Sequence, residues 1–241
     1  AMAAKPKINV KHVEPLSWWV GMEMPLQLMV NGEAIAECGV EILPAGAGVD
    51  VTAIHKAESP NYLFVDVAIS DDAKAGDYTI RFTNGKSKRD YVYTIAERRE
   101  GSRERESFTT ADFVYLIMPD RFANGNTAND STDNTTEKAD RTKPGRRHGG
   151  DLEGMIAHLD YIADLGATAI WSTPLLLDNE NGASYHGYSC SDYYLIDPRY
   201  GTNDLFKEYV QKAHEKDLKI IMDIVPNHAG SAHWWMLDTP F

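Results

Sequence analysis

Three stretches of this chain carry side chains whose types and spacing suit chemistry. The first is Asp223-Ile224-Val225-Pro226-Asn227-His228. Asp223 falls inside an apolar run, where a charge is costly unless it is paired or functional, and Asn227 and His228 stand where that run gives way to loop. A structural Asp beside an ordinary loop His is the alternative. The second stretch is Tyr185-His186-Gly187-Tyr188. Aromatic rings suit the apolar face of a sugar, and a His can hydrogen-bond a hydroxyl; a packed surface loop is the alternative. The third is Asn124-Gly125-Asn126-Thr127-Ala128-Asn129-Asp130. Hard oxygen donors crowd there at the short intervals Ca²⁺ prefers. Asp151, just ahead of a helical pattern, is placed for a cation to bridge it to Asp130. A polar loop that holds water is the alternative.

The elements that position these residues follow from periodicity. Residues 113–118 form a continuous apolar run, as in a strand buried on both faces. After a long polar loop, residues 120–150, Leu152, Met155, Ile156, Leu159, Ile162 and Leu165 fall at helical spacing, and Gly166 ends that helix. Residues 167–171 read as a second buried strand. Another long loop holds residues 185–202. A helix is expected over about 204–216, with Leu205, Tyr209, Val210 and Ala213 on one face, and a third buried strand over 218–225. Strand, helix, strand, helix, strand implies parallel strands with helices outside, in a doubly wound sheet or a TIM barrel. The long polar loops follow strands, while helix-to-strand links are short, which favours a barrel whose strand-to-helix loops form the site. A full barrel takes ~250 residues, and 143 residues follow Arg98. The expectation is an incomplete barrel, the front part of a larger enzyme, ending in the loop after strand three.

Residues 1–98 read differently. Leu63, Val65, Val67 and Ile69 alternate as one buried strand face should, as do Tyr78, Ile80 and Phe82, and Tyr91, Tyr93 and Ile95. Asn31-Gly32 and Asn84-Gly85 sit between such runs, suited to the positive φ of tight hairpins. This is the pattern of an immunoglobulin-like β-sandwich of seven or eight strands. Residues 97–106, a mixed-charge run, read as a linker, with a short helix as the alternative. The expected domains are therefore 1–98 and 99–241. Trp18-Trp19 is expected to brace the β-module against the barrel rather than to form an exposed sugar platform.

Composition narrows the function classes. The 241 residues are 43% hydrophobic and 25% charged, enough for a sizeable core. Net charge is −12 and the pI about 5.1, which argues against a nucleic-acid partner and against docking on anionic lipid. No apolar run reaches the length of a membrane span, so membrane insertion is not expected. Ala1-Met2-Ala3-Ala4 reads as a cloning remnant or the remainder of a removed leader. Cys38 and Cys190 lack metal-knuckle spacing and are expected to be two buried free thiols, although a single disulfide would also fit the count.

Taken together the segments resemble the alpha-amylase family, glycoside hydrolase family 13. The resemblance rests on Leu116-Ile117-Met118-Pro119-Asp120-Arg121-Phe122, Gly149-Gly150-Asp151-Leu152, His186-Gly187-Tyr188, Ile196-Asp197-Pro198-Arg199-Tyr200-Gly201-Thr202 and residues 223–228, in family order. The β-module in front resembles that of cyclomaltodextrinases and neopullulanases. The resemblance implies that His186 and Tyr188 line the sugar site at the point of cleavage, that His228 hydrogen-bonds the same sugar, and that Asp223 organises the floor. It implies a structural Ca²⁺ held by Asn124, Asn126, Asn129, Asp130, the Gly149 carbonyl and Asp151. Asn126 departs from the usual Asp and should weaken that site. The family's nucleophilic Asp, general-acid Glu and third Asp follow later strands, so no catalytic carboxylate is expected here. The implied activity is retaining hydrolysis of α-1,4 links in maltodextrins, cyclodextrins or pullulan. A non-catalytic glucan-binding protein and a transglycosylase are the alternatives. An α-glucan partner and a bacterial periplasmic or secreted location are further implications, and homo-oligomerisation is left open.

Overall fold

The structure, a computed structural model, describes residues 7–241; the reading of Ala1-Met2-Ala3-Ala4 lies outside them. The chain divides into two compact units. One runs to Arg105 and takes in Thr239–Phe241; the other is Glu106–Asp238.

The first unit holds β1 (Asn9–Glu14), β2 (Ser17–Trp19), β3 (Leu26–Glu33), β4 (Gly39–Leu43), β5 (Val49–Lys56), β6 (Tyr62–Ile69), β7 (Gly76–Asn84) and β8 (Ser87–Ala96). They form two four-stranded sheets, ordered β1-β3-β6-β5 and β2-β8-β7-β4. All pairings are antiparallel except β2 with β8. The alternating residues of both sheets meet in one core, with Leu28, Val30, Leu63, Val65, Ile80, Phe82 and Ile95 fully buried. Trp18 rests against this core, its ring stacked 5.2 Å from that of Trp19. Of the two Asn-Gly pairs, Asn84-Gly85 does open a tight hairpin, with Gly85 at φ +61°. Asn31-Gly32 does not. Gly32 lies within β3, opposite a bulge in β1, and a Cβ there would stand 2.0 Å from the Asn9 carbonyl oxygen. Glycine serves close backbone approach at that point, not a turn. Residues 97–109 contain no helix, as the linker reading expects. Cys38 and Cys190 are buried free thiols.

The second unit starts with β9 (Val114–Ile117) and α1 (Pro119–Phe122), then α2 (Leu152–Ala157), α3 (Leu159–Asp164), β10 (Ala169–Ser172), β11 (Leu176–Leu177), β12 (Asp192–Ile196), α4 (Asn203–His214), β13 (Lys219–Met222) and α5 (Trp234–Leu237). β9, β10 and β13 form a parallel sheet with β10 in the middle. Ile117, Ile170 and Ile220 pack with Leu152, Met155, Leu159, Ile162, Tyr209 and Ala213 in a second core. Several expectations are corrected here. Burial on both faces holds only for Ala169 and Ile170 of the central β10; toward the C-terminal ends the face away from the helices is open, with Leu116 54%, Trp171 38% and Met222 39% exposed. The third strand is shorter than 218–225. Its pairing stops at Met222, opposite Ser172 where β10 ends, so Asp223 stands just past the strand. The helix expected over 152–165 is broken at His158 (φ −114°, ψ 13°). The His158 Nδ1 donates to the Gly154 carbonyl at 2.8 Å, occupying the acceptor its own N–H would use, and that N–H turns to Met155 instead. The loop after β10 also holds an antiparallel pair, β11 with β12, that periodicity did not reveal. No helix among the described residues is long and apolar enough to cross a membrane.

Candidate functional site

The loops after the C-terminal ends of β10 and β13 bring Tyr188, His186, Asp223 and His228 together. Ser184–His186 is a single 3₁₀ turn with Ala183 and Gly187 both left-handed. At Gly187 a Cβ would stand 2.1 Å from the Pro174 carbonyl oxygen. Glycine therefore lets the turn sit against Pro174 and aims the rings on either side of it into one place, 5.7 Å apart. The His186 Nδ1 accepts the Tyr188 N–H at 3.0 Å, which leaves Nε2 to carry the proton of the neutral ring. Burial pushes this imidazole below its ordinary pKa, with Glu137 opposing, which favours the neutral ring with Nε2–H as the free donor.

Asp223 is the acceptor at the centre. The Tyr188 hydroxyl and the Trp171 indole N–H both donate to its Oδ2 at 3.1 Å. Burial, then the bond to Asp223, raises the Tyr188 phenol. Trp171 escaped the sequence reading; its signal was an indole N–H at the C-terminal end of a strand. The His228 Nε2 donates to the Tyr188 carbonyl at 3.0 Å, and its Nδ1 accepts from the Asn227 amide at 3.2 Å. Both nitrogens are engaged within the chain, so a sugar hydroxyl reaches His228 by replacing one of these bonds. The arrangement offers an aromatic face, a neutral imidazole donor and an oriented carboxylate, a set suited to a polyhydroxyl ring.

The oxygen-rich loop has its own geometry. Asp151 is fully buried. It caps α2 through Gly154 N–H (2.7 Å) and accepts the N–H groups of Gly125 and Asn126, both at 2.9 Å. It thus holds the loop down by itself. Asp130 accepts from Asn124 (2.6 Å) and from Arg141 (2.8 Å), and lies so close to Gly149 (φ +88°) that a Cβ there would be 2.4 Å from its Oδ1. Asn126 bonds Ala128 N–H and the Glu153 carboxylate. The Asn129 Oδ1 is buried with no hydrogen-bond partner, an orphan acceptor that a cation would satisfy. Among the described residues no group of three or more His, Cys, Asp or Glu converges as a metal site. A cation here would draw on amide and carbonyl oxygens with Asp130.

Behind both loops lies a buried charge network that sequence reasoning did not single out. Arg199 is fully buried and grips Asp197 with Nε (2.9 Å) and Nη2 (2.6 Å), and donates to the carbonyls of Glu137 and Asp178. Arg147 lies 3.7 Å from both Asp120 and Asp197, over the Tyr200 ring. Burial pushes the Asp197 carboxyl up, but Arg199 and Arg147 outweigh it and hold it below the usual range. The Asp and Arg of Asp197-Pro198-Arg199 are the sequence signal for this network.

A family model described as alpha amylase, catalytic domain, matches residues 116–239, and one described as cyclomaltodextrinase, N-terminal, matches residues 12–99. The chain belongs to the alpha-amylase family. Among curated relatives it is 43% identical over 118 residues to a beta/alpha-amylase of Paenibacillus polymyxa (48% of this chain, 10% of that protein). It is 41% identical over 123 residues to a cyclomaltodextrinase of Thermoanaerobacter pseudethanolicus (51% and 21%). It is likewise 41% identical over 134 residues to neopullulanase 2 of Thermoactinomyces vulgaris (52% and 22%). The chain therefore spans between a tenth and about a fifth of the length of these alpha-amylase relatives.

Proposed function

We propose that this chain is the substrate-binding front portion of a glycoside hydrolase that cleaves α-1,4-glucosidic bonds in maltodextrins, cyclodextrins or pullulan with retention of configuration. The observation that carries this is the convergence of Tyr188, His186, Trp171 and Asp223 beyond the ends of parallel strands, in a member of the alpha-amylase family. On this reading residues 1–98 are an immunoglobulin-like module, a reading supported by the Tyr78 hydroxyl, which bonds the Lys74 carbonyl at 2.7 Å as in a tyrosine corner. Residues 99–241 are the first part of a (β/α)₈ barrel.

The side chains here bind and orient the sugar. Tyr188 covers the apolar face of the ring at the cleavage point, His186 donates Nε2–H to a hydroxyl, and Asp223 fixes the phenol and indole around it. The two reacting carboxylates of a retaining enzyme stand ~5–5.5 Å apart, and in this proposal neither lies within these 241 residues. Ca²⁺ is proposed as a structural ion on Asn124, Asn126, Asn129, Asp130 and the Gly149 carbonyl. Asp151, expected among the ligands, has both carboxylate oxygens taken by the N–H groups of Gly125, Asn126 and Gly154, and in this proposal it supports the loop instead.

Reducing-sugar release from maltodextrin, pullulan and β-cyclodextrin tests the activity, and linkage analysis of the products separates hydrolysis from transglycosylation. A form of the protein that carries both reacting carboxylates is expected to release sugar, and the 241-residue chain only a trace. Robust turnover by the 241-residue chain would overturn the placement of the carboxylates. No release by a form that carries both carboxylates overturns the activity and leaves a glucan-binding protein.

A further inference from the structure

Tyr193 lies in β12, next in sequence to the loop that carries His186 and Tyr188. Its half-buried ring packs against the second core and stands 5.6 Å from the rings of both His233 and Trp235. Its hydroxyl lies 2.8 Å from the His228 carbonyl oxygen and 3.1 Å from that of Val225. These carbonyls bracket Pro226-Asn227. Pro226 brings no N–H to such a turn, and the carbonyls at its two ends meet one outside donor. The same segment grips this loop twice more. The His228 Nε2 donates to the Tyr188 carbonyl at 3.0 Å, and the Gly230 N–H to the Cys190 carbonyl at 2.7 Å. Beyond it, the Ser231 hydroxyl and the Ala232 N–H donate to the Glu180 carboxylate at 2.8 and 3.1 Å.

We propose that Tyr193 is a positioning residue for the glucan site: its hydroxyl fixes the 225–228 turn and so keeps the His228 imidazole seated against Tyr188. It touches no substrate, and the functional part of the proposal rests on the glucan reading of that site. The ring is held by its aromatic neighbours whether or not the hydroxyl is present, so the hydroxyl's role is separable from packing. Misplacement of a binding group by ~1 Å is enough to lower a rate by as much as ~10²-fold.

The test compares Tyr193→Phe, which removes only the hydroxyl, with Tyr194→Phe, the same change at the next residue of β12, which is exposed. In the full 241-residue chain, hydrogen exchange of the Gly230 amide and the ring resonances of ¹³C-labelled His228 are recorded. In Tyr193→Phe the Gly230 amide is expected to exchange about tenfold faster, the loss of one local hydrogen bond. The His228 resonances shift or broaden while those of His55, in the other unit, stay in place. Tyr194→Phe moves none of them. In a form that hydrolyses maltodextrin, Tyr193→Phe lowers kcat/KM about tenfold, with most of the loss in kcat. A Gly230 amide and a His228 ring that do not change overturn the proposal whatever the activity. So does a loosened loop with kcat/KM intact, which makes Tyr193 a structural brace. A loosened loop in a protein that cleaves no glucan in any form upholds the clamp and overturns the reading of the site.

Discussion

Tyr188 has two separable parts, a ring that can stack on sugar and a hydroxyl that holds Asp223. Tyr188→Ala removes both and is expected to lower kcat/KM on maltodextrin at least tenfold, or ~1.4 kcal/mol of transition-state stabilisation. Tyr188→Phe keeps the ring and leaves Asp223 with the Trp171 indole alone, so it should retain most of the activity. Steady-state kinetics on the hydrolysing form decides, and an unchanged kcat/KM in Tyr188→Ala removes Tyr188 from the site. The residue types His186, Tyr188, Asp223 and His228 were legible from the sequence because their chemistry is unusual for the places they occupy. Trp171 was not. An indole in an apolar strand looks like core until register and strand length turn its N–H toward Asp223.

At the scale of elements, Asp151 joins the cap of α2 to the loop ahead of it. Asp151→Ala frees three backbone N–H groups, those of Gly125, Asn126 and Gly154. The loss of the cap and of buried partners should cost about 2–4 kcal/mol, seen as a lower melting temperature with chelator and with Ca²⁺ alike. Asp130→Asn should instead lose the response to Ca²⁺ and little else. If melting of the parent protein is the same in chelator and in millimolar Ca²⁺, the calcium assignment fails. Gly32→Ala is a second elemental prediction. The added methyl meets the Asn9 carbonyl in the β1 bulge, and a backbone clash in a packed sheet is expected to cost about 1–3 kcal/mol, measured by urea unfolding. The sequence pattern marked that glycine as a turn because composition alone does not distinguish a positive φ from a close approach.

For the second unit as a whole, the buried charges set both stability and its pH dependence. Arg199→Leu leaves the Asp197 carboxylate buried without its bidentate partner and should destabilise by about 3–5 kcal/mol. Burial, with Asp197 nearby, pushes the Asp178 carboxyl up to about 6, against the N–H groups of Ser189 and Glu180. A folded-state pKa above the unfolded value means that the folded chain holds the proton more tightly. This contribution is fully present below about pH 4 and is lost as pH rises through about 6. Asp197 acts in the opposite sense: its contribution is present at neutral pH and is lost under strong acid as pH falls through its lowered folded pKa. Asp178→Asn should therefore flatten the decline in melting temperature between pH 4 and pH 7. Parallel declines in parent and variant would show that Asp178 does not titrate there.

By itself the sequence determined the β-module's alternating core, the parallel order of strands and helices behind it, and the residue types that gather at the strand ends. These follow from short-range periodicity and from motifs whose members lie within a few residues of one another. Only the tertiary structure decided the rest. It placed Trp171 and Tyr188 on the same Asp223 oxygen across 52 and 35 residues of chain. It broke the helix at His158 by a side-chain bond to the Gly154 carbonyl, and it made Gly32 a point of close backbone contact where a hairpin turn was expected. It also buried Arg147 and Arg199 around Asp120 and Asp197, where the charges tolerate loss of water because they meet one another. Each of these depends on which distant groups share a dry space, and that is fixed by packing rather than by the order of residues along the chain.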